Sequence, residues 1–455
     1  MEVTQAQIAD LSRFDEPILV FVNLYALCAH RCTDIVNLLR TRRFNYEERT
    51  DNLLRTLDFG RSPHLSWDGD DQVLLDGATL IDALSRHIAK RYGSGLKHRA
   101  EPYFTSDSFG TLPFWLAKKE PSPLTAHIHD IPRDQDQLHQ TFQRFHRELL
   151  VTPGSVGEWT LTRIAANRAL ESFLEQRMLG PEFRVAVSSL SQDAEISGES
   201  RPRSLLPPHE FHVTSTGPVE RQTEALRHVL ELAYERRAAI LVLPELRVPP
   251  PLLEATKEFL TRQAITDEQG LLMVAAGSWH VDMPDGRRFN RCVLLGHDGR
   301  DLWSHDKLRE YEITPQNVAA SPGAYRAIGV GPAGAVEAIH RGKTLQFCDS
   351  IIGRLAAAIC VGFFSPNVRP LLLASAVNLF LVPAMTDSIA AIEACAADLV
   401  HTQHAYTLVS NCGCVGREAP SFCMWPVARD NIRRLDPSGL LLTLDLKDTS
   451  MYDID

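Results

Sequence analysis

The spacing of apolar residues divides the chain into two regimes. In residues 1–182 they recur three or four apart, and the stretches Leu24–Arg42, Val73–Tyr92, Gln135–Leu150 and Thr160–Leu179 each predict an amphipathic helix. Ile18–Val22 is an apolar run of strand length, and Glu101–Pro123, rich in Pro, Ser and aromatic residues without a period, predicts a loop laid on a surface. Gly180-Pro181 closes the last helix, because Gly suits the left-handed position after a helix and Pro commonly follows it. A boundary there gives a mainly α-helical domain over 1–182 and a second domain over 183–455.

The second domain reads differently. Arg184–Leu190 alternates as a strand does, Glu220–Arg237 places Leu226, Val229, Leu230 and Ala233 on one helical face, and Ala239–Leu243 is a buried strand. Short apolar strands recur at Leu271–Ala276, Cys292–Leu295, Leu355–Ile359, Asn378–Val382 and Tyr406–Ser410, several followed by helical segments, which is an α/β pattern. Asp298-Gly299 between two such runs predicts a two-residue type I′ hairpin and therefore a mixed sheet. Ser191–Pro218 and Pro315–Gly342 look like insertions, and loops of that length in a compact domain are usually functional or mobile.

Composition narrows the partners. Hydrophobic residues at 44% and charged residues at 23% are ordinary for a soluble globular chain, and a net charge of -10 argues against nucleic acid held by overall electrostatics. Small molecules are the better expectation. The N-terminus lacks the basic start and apolar centre of a signal peptide, so a cytoplasmic location is expected. The apolar stretches Ile18–Ala29 and Leu371–Met385 fall short of the roughly 20 residues that span a bilayer, and no membrane segment is read. The cysteines are scattered, as reduced cytosolic thiols are, and Cys28, Cys32, Cys412, Cys414 and Cys423 form no zinc-binding pattern.

Three segments carry candidate chemistry. Leu241–Glu245 is an apolar strand whose end presents a carboxylate ahead of a proline-rich loop, a placement suited to general-base work. Trp303–Glu312, just after the hairpin, contains Lys307, whose ammonium can donate to an oxyanion if a carboxylate keeps it charged when buried. Ala356–Gly362 is a small-residue strand that delivers Cys360 at its end. A strand-end Glu, a charged loop and a buried Cys are each commonplace alone; their order along the chain is not.

Together these segments resemble the nitrilase, or carbon–nitrogen hydrolase, superfamily, over about Phe183 to Lys447. Arg184–Leu190 looks like that family's first strand, Asn378–Pro383 like its strand after the nucleophile, His401–Gly416 with Asn411 like a later segment, and the closing Ser438–Leu446 run like its final strand. The resemblance implies a four-layer α-β-β-α sandwich, catalysis by Glu245, Lys307 and Cys360 without a cofactor, and a small amide or nitrile substrate. It also implies an oxyanion and substrate region at Val361, Gly362 and Phe363, and assembly into a homo-oligomer. The family's second carboxylate is assigned to Glu312, further along the loop after Lys307, rather than to Glu310.

The chain departs from the family pattern at Gly362, where members often carry an acidic residue, and at Ser365–Asn367, where they carry a Pro-Glu pair, so the substrate of a common aliphatic amidase does not carry over. Residues 1–182 match no family and are read as a regulatory, assembly or protein-binding domain. The competing function is a binding or signalling protein, such as a bacterial defence component, that keeps the nitrilase fold while the N-terminal domain does the work.

Overall fold

The computed structural model describes residues 16–29, 35, 50–54, 70–96, 99, 101–105, 112–118, 149–165, 168–190, 196–201, 209–266, 270–386, 389–412, 420–426, 431–436 and 439–447. They form two compact units that meet in sequence at Gly157/Glu158.

In the first unit the helices Pro17–Ala29 and Asp70–Leu96 pack together around Phe21, Leu24, Ile81, Leu84 and Ile88. The run Ile18–Val22 is thus helical rather than extended, for a physical reason: its helix is apolar on nearly every side and buried, so it shows no 3.6-residue stripe. The stretch expected to be a loop supplies Tyr103–Phe104 and Pro113–Lys118, which join Leu149–Pro153 in a three-stranded antiparallel sheet. Phe114, Leu116, Leu149 and Val151 enter the helical core, so sheet is added to the mainly helical domain the sequence suggested. Of the expected helix Gln135–Leu150, residues 135–148 lie outside the described residues, and its last two positions begin a strand.

The second unit starts earlier than residue 183. Trp159–Ile164 is a strand pairing in parallel with Thr344–Ser350, and only Arg168–Leu179 is helical. Trp159, Leu161 and Arg163 alternate inward, a period of two that decides against the helix expected over Thr160–Leu179.

Two large mixed sheets organise this unit. In the seven-stranded sheet, Arg184–Ser188, Ala238–Val242 and Met273–Ala275 run parallel at the centre, flanked by Leu441–Asp445 and by Arg288–Gly296. Arg288–Gly296 also pairs with Trp279–Asp282 and Asp301–Asp306. In the eight-stranded sheet, Gly353–Ala357, Leu379–Ala384 and Tyr406–Asn411 are parallel neighbours. The two sheets lie against each other, Ser410 Oγ donating to Ser188 O at 2.5 Å. On the other face of the first sheet sit the helices Val219–Glu235 and Pro250–Thr266, burying Leu226, Val229, Leu230, Leu252 and Leu260. Full burial of each such side chain contributes about 1.5–3 kcal/mol.

The hairpin at Asp298-Gly299 is present with a different turn. Gly299 N donates to Gly296 O at 3.0 Å and Gly296 N to Arg300 O at 2.9 Å, while Gly299 alone in the loop has positive φ, at 76°. That is a type I turn closed by a left-handed glycine rather than type I′. The two insertions supply three strands of a four-stranded sheet in the order Glu312–Ile313, Ala335–Glu337, His209–Ser215, Ser197–Arg201, the edge strand Glu312–Ile313 just preceding the second insertion. Among the described residues no helix is long and apolar enough to cross a membrane.

Candidate active site

The three sequence candidates arrive at one place because strand ends of both sheets converge there. Glu245 follows the central strand Ala238–Val242, and its N–H donates to Ala384 O, at the end of a strand in the other sheet, at 3.3 Å. The turn is tight: Leu246 has φ 52°, and Gly277, with φ 59°, approaches so closely that a Cβ there would lie 2.3 Å from Pro244 O. Cys360 follows Gly353–Ala357 and donates its N–H to Pro383 O at 2.9 Å. Its backbone, φ 44° and ψ -116°, is one that a non-glycine residue holds only when the surroundings impose it. Lys307 ends the strand Asp301–Asp306, its N–H donating to Asn290 O and its carbonyl accepting from Gly342 N, each at 2.8 Å.

Around the Lys307 ammonium the polar groups close into a network. Nζ lies 2.7 Å from Glu245 Oε1 and 2.6 Å from Glu337 Oε2. Asn290 Nδ2 donates to Glu245 Oε1 at 2.9 Å and to Glu337 Oε1 at 2.8 Å, His280 Nε2 is 3.0 Å from Glu337 Oε1, and Tyr311 N donates to Glu337 Oε2 at 3.0 Å. Glu245, Lys307, Glu337, Asn290 and Cys360 are each no more than 3% exposed, so these interactions act with little solvent screening. The Cys360 thiol is hydrogen-bonded to the Glu245 side chain and to the Met385 N–H.

Burial by itself would discharge Lys307, but Glu245 and Glu337 outweigh it and hold the ammonium above its ordinary value. Burial likewise opposes charge on Glu337, and Lys307 and His280 overcome it, holding that carboxyl well below the usual range. At Cys360, burial pushes the thiol strongly up and the Glu245 charge adds to the push, while Lys307 and the Met385 N–H pull against it. Cys360 therefore rests as a neutral thiol beside the Glu245 carboxylate, rather than as the thiolate that an ammonium alone would favour.

Glu312 is not part of this network. It is exposed on the two-residue strand Glu312–Ile313, and Glu310 pairs with Arg341 at the surface. The carboxylate beside Lys307 is Glu337, carried on Ala335–Glu337 and joined in register to Phe211 of the small sheet. Chain proximity favoured Glu312, but strand alternation turns it outward and places Ile313 inward. Two of the three expected oxyanion residues are also otherwise engaged: Gly362 N donates to Ile359 O and Phe363 N to Cys360 O, each at 2.8 Å. The Phe363 ring packs edge-on against Phe380 at 5.6 Å, and Gly362 gives room for Leu308 N, 3.4 Å from where its Cβ would be. Val361 begins the short helix Val361–Phe364, where a first-turn N–H has no partner within the helix.

Asn290, His280 and Glu337 were missed by sequence reasoning. Asn290 and His280 interrupt strands of otherwise apolar or exposed pattern, which is a usable sign; Glu337 lies inside the insertion Pro315–Gly342 and carries no local sign. Asn411, picked out from the sequence, holds the backbone next to Met385, whose N–H meets the Cys360 thiol: its Nδ2 donates to Thr386 O at 3.0 Å and its Oδ1 accepts from Thr386 N at 2.9 Å. Next to it, the buried Cys412 thiol lies 3.6 Å from Glu245 O and is hydrogen-bonded by Arg247. Among the described residues no group of three or more His, Cys, Asp or Glu is placed to hold a metal.

Comparison with solved structures finds similarity to a variant of the amidase from Nesterenkonia sp. AN1 carrying the acetamide moiety of fluoroacetamide on its active-site cysteine. Identity is 17% over 59% of this chain and 92% of that one, with a TM-score of 0.38. The chain is also similar to Saccharomyces cerevisiae Nit3, a member of branch 10 of the nitrilase superfamily, at 12% identity over 59% and 92% of the two chains and a TM-score of 0.37. The C. elegans NitFhit protein shares 14% identity over 59% of this chain and 62% of its own, with a TM-score of 0.38. No family model and no curated protein matches the chain.

Proposed function

We propose that the second unit is a carbon–nitrogen hydrolase of the nitrilase type, cleaving a small amide or nitrile through a thioester or thioimidate on Cys360. The observation that supports this reading most is the shared, buried placement of Glu245, Lys307 and Cys360, with Lys307 bridging Glu245 and a second carboxylate, Glu337. An inert core has no reason to bury two carboxylates and an ammonium, since a buried ionic cluster stabilises less than apolar packing of the same volume.

The two carboxylates have different work. Each oxygen of Glu337 already accepts two donors, so it holds charge and has little capacity for a proton. Glu245 has Lys307 and Asn290 on Oε1 and contacts the thiol, which makes it the base. With an amide bound, Glu245 takes the Cys360 proton as sulfur attacks the carbonyl carbon. Lys307 and the Val361 N–H stabilise the tetrahedral oxyanion. The C–N bond then breaks, Glu245 returns its proton to the leaving nitrogen, and a thioester remains. Water, deprotonated by Glu245, attacks the thioester, releasing the acid and restoring the thiol. Every step is carried by side chains, the Val361 N–H and water.

The same reading takes the two facing sheets with their outer helices as a four-layer α-β-β-α sandwich, and a homo-oligomer as the assembled form, tested by sedimentation at micromolar concentration. The chemistry is tested by ammonia release from a panel of small amides and nitriles. Turnover by the full chain and its loss in Cys360→Ala are expected; equal release by both proteins would defeat the proposal.

A further inference from the structure

The ring of His280 joins two parts of the second unit. It stands on Trp279–Asp282, at the edge of the seven-stranded sheet, and is buried. Its Nδ1 accepts the N–H of Val213, in the small sheet, at 3.0 Å, while its Nε2 lies 3.0 Å from Glu337 Oε1. A backbone N–H can only donate, so Nδ1 carries no proton, and the neutral ring must carry its proton on Nε2 and donate it to Glu337. The tautomer is thereby fixed by Val213.

We infer that His280 is a positioning residue for the hydrolase reading above. It orients Glu337, and through Glu337 the Lys307 ammonium, and it ties that alignment to the small sheet to which the two insertions give three strands. Glu337 sits on that sheet, paired beside Phe211, whereas Lys307 and Asn290 sit on the large one. Asn290 bridges Glu245 to the same Glu337 oxygen that His280 contacts. Without the Nε2–H donor, Glu337 Oε1 keeps Asn290 as its single donor and the carboxylate is held against Lys307 less firmly. The insertions are then part of the catalytic machinery, contributing one carboxylate directly and one tautomer indirectly.

Two substitutions separate the halves of the ring. In His280→Asn the side-chain oxygen replaces Nδ1 and still accepts from Val213, but nothing reaches Glu337. In His280→Gln the amide nitrogen replaces Nε2 and still donates to Glu337, but the Val213 N–H loses its acceptor. The probe is iodoacetamide, itself a small amide, with the labelling rate of Cys360 followed by peptide mass mapping on the full chain and thermal unfolding measured alongside. His280→Asn is expected to slow Cys360 labelling roughly tenfold, the effect of about one pKa unit at the thiol, with the labelling pH profile displaced to higher pH. His280→Gln is expected to rescue the rate to within about twofold, although burying an unpaired N–H makes it the less stable variant. Labelling that follows thermal stability across the two variants, or that is unchanged in His280→Asn, would overturn the positioning role. Failure of Cys360 to label in the parent protein would instead remove the hydrolase reading, and this inference with it.

Discussion

Replacing Glu337 by Gln exposes how much the buried network depends on one charge. Its two oxygens accept from four donors: Asn290 Nδ2 and His280 Nε2 on Oε1, Lys307 Nζ and Tyr311 N on Oε2. A glutamine has one acceptor oxygen, so in either amide orientation its NH2 faces two donors. Two buried donors then lose an acceptor, His280 and Asn290 in one orientation or Lys307 and Tyr311 in the other, and in both Glu245 is the one anion left beside Lys307. Breaking a buried ion pair from one side costs about 3–5 kcal/mol, which a domain of ordinary stability, about 5–15 kcal/mol, survives at 25 °C. The Lys307 pKa falls, because burial is now opposed by one carboxylate instead of two. Loss of alignment at one oxyanion donor costs roughly 100- to 1,000-fold in kcat. Urea unfolding followed by circular dichroism reads the first effect, and ammonia release reads the second. An unfolding free energy within about 1 kcal/mol of the parent, a small effect among measured substitutions, together with unchanged kcat would refute the reasoning. Glu312→Gln, on the exposed strand, is the matched control and should change stability by less than about 0.5 kcal/mol.

Further outcomes follow from single features. Cys360→Gly should be more stable than Cys360→Ala by about 1 kcal/mol or more in urea, since glycine holds a positive φ of 44° without strain and alanine does not. Gly277→Ala should unfold at clearly lower urea, because its Cβ would meet Pro244 O at 2.3 Å, and should lower kcat by displacing the Glu245 turn. Stability should fall in acid. Glu337, held low by Lys307 and His280 against burial, and Asp349, held low by Arg354 and Arg163 against burial, contribute stability that is fully present above their unfolded values, about 4, and is lost as pH drops below them. A urea-midpoint profile against pH should show that slope, and Glu337→Gln should flatten part of it.

How much of this was legible beforehand depended on whether a residue's job is announced by its own strand. Glu245 and Cys360 each follow an apolar strand and Lys307 follows the second strand of a hairpin marked by Asp298-Gly299, so local pattern nominated each and their order along the chain joined them. Glu337 reaches the site through a separate small sheet whose parallel pairing with His209–Ser215 joins residues 120 positions apart or more, and no local period reports that. The same limit applies to Trp159–Ile164, where the choice of partner, Thr344–Ser350, decides that a stretch with mixed periodicity is a strand. In the first unit, Pro17–Ala29 lacked a polar face and so lacked a helical stripe.

The most direct test is whether Cys360 becomes acylated during turnover. The full chain, mixed with the amide that releases ammonia fastest and quenched in acid within milliseconds to seconds, should yield a Cys360 peptide heavier by the acyl group, with the added mass removed by hydroxylamine as a thioester requires. Ammonia release with Cys360 unmodified at every time, or with the acyl group on another thiol such as Cys412, would contradict the account.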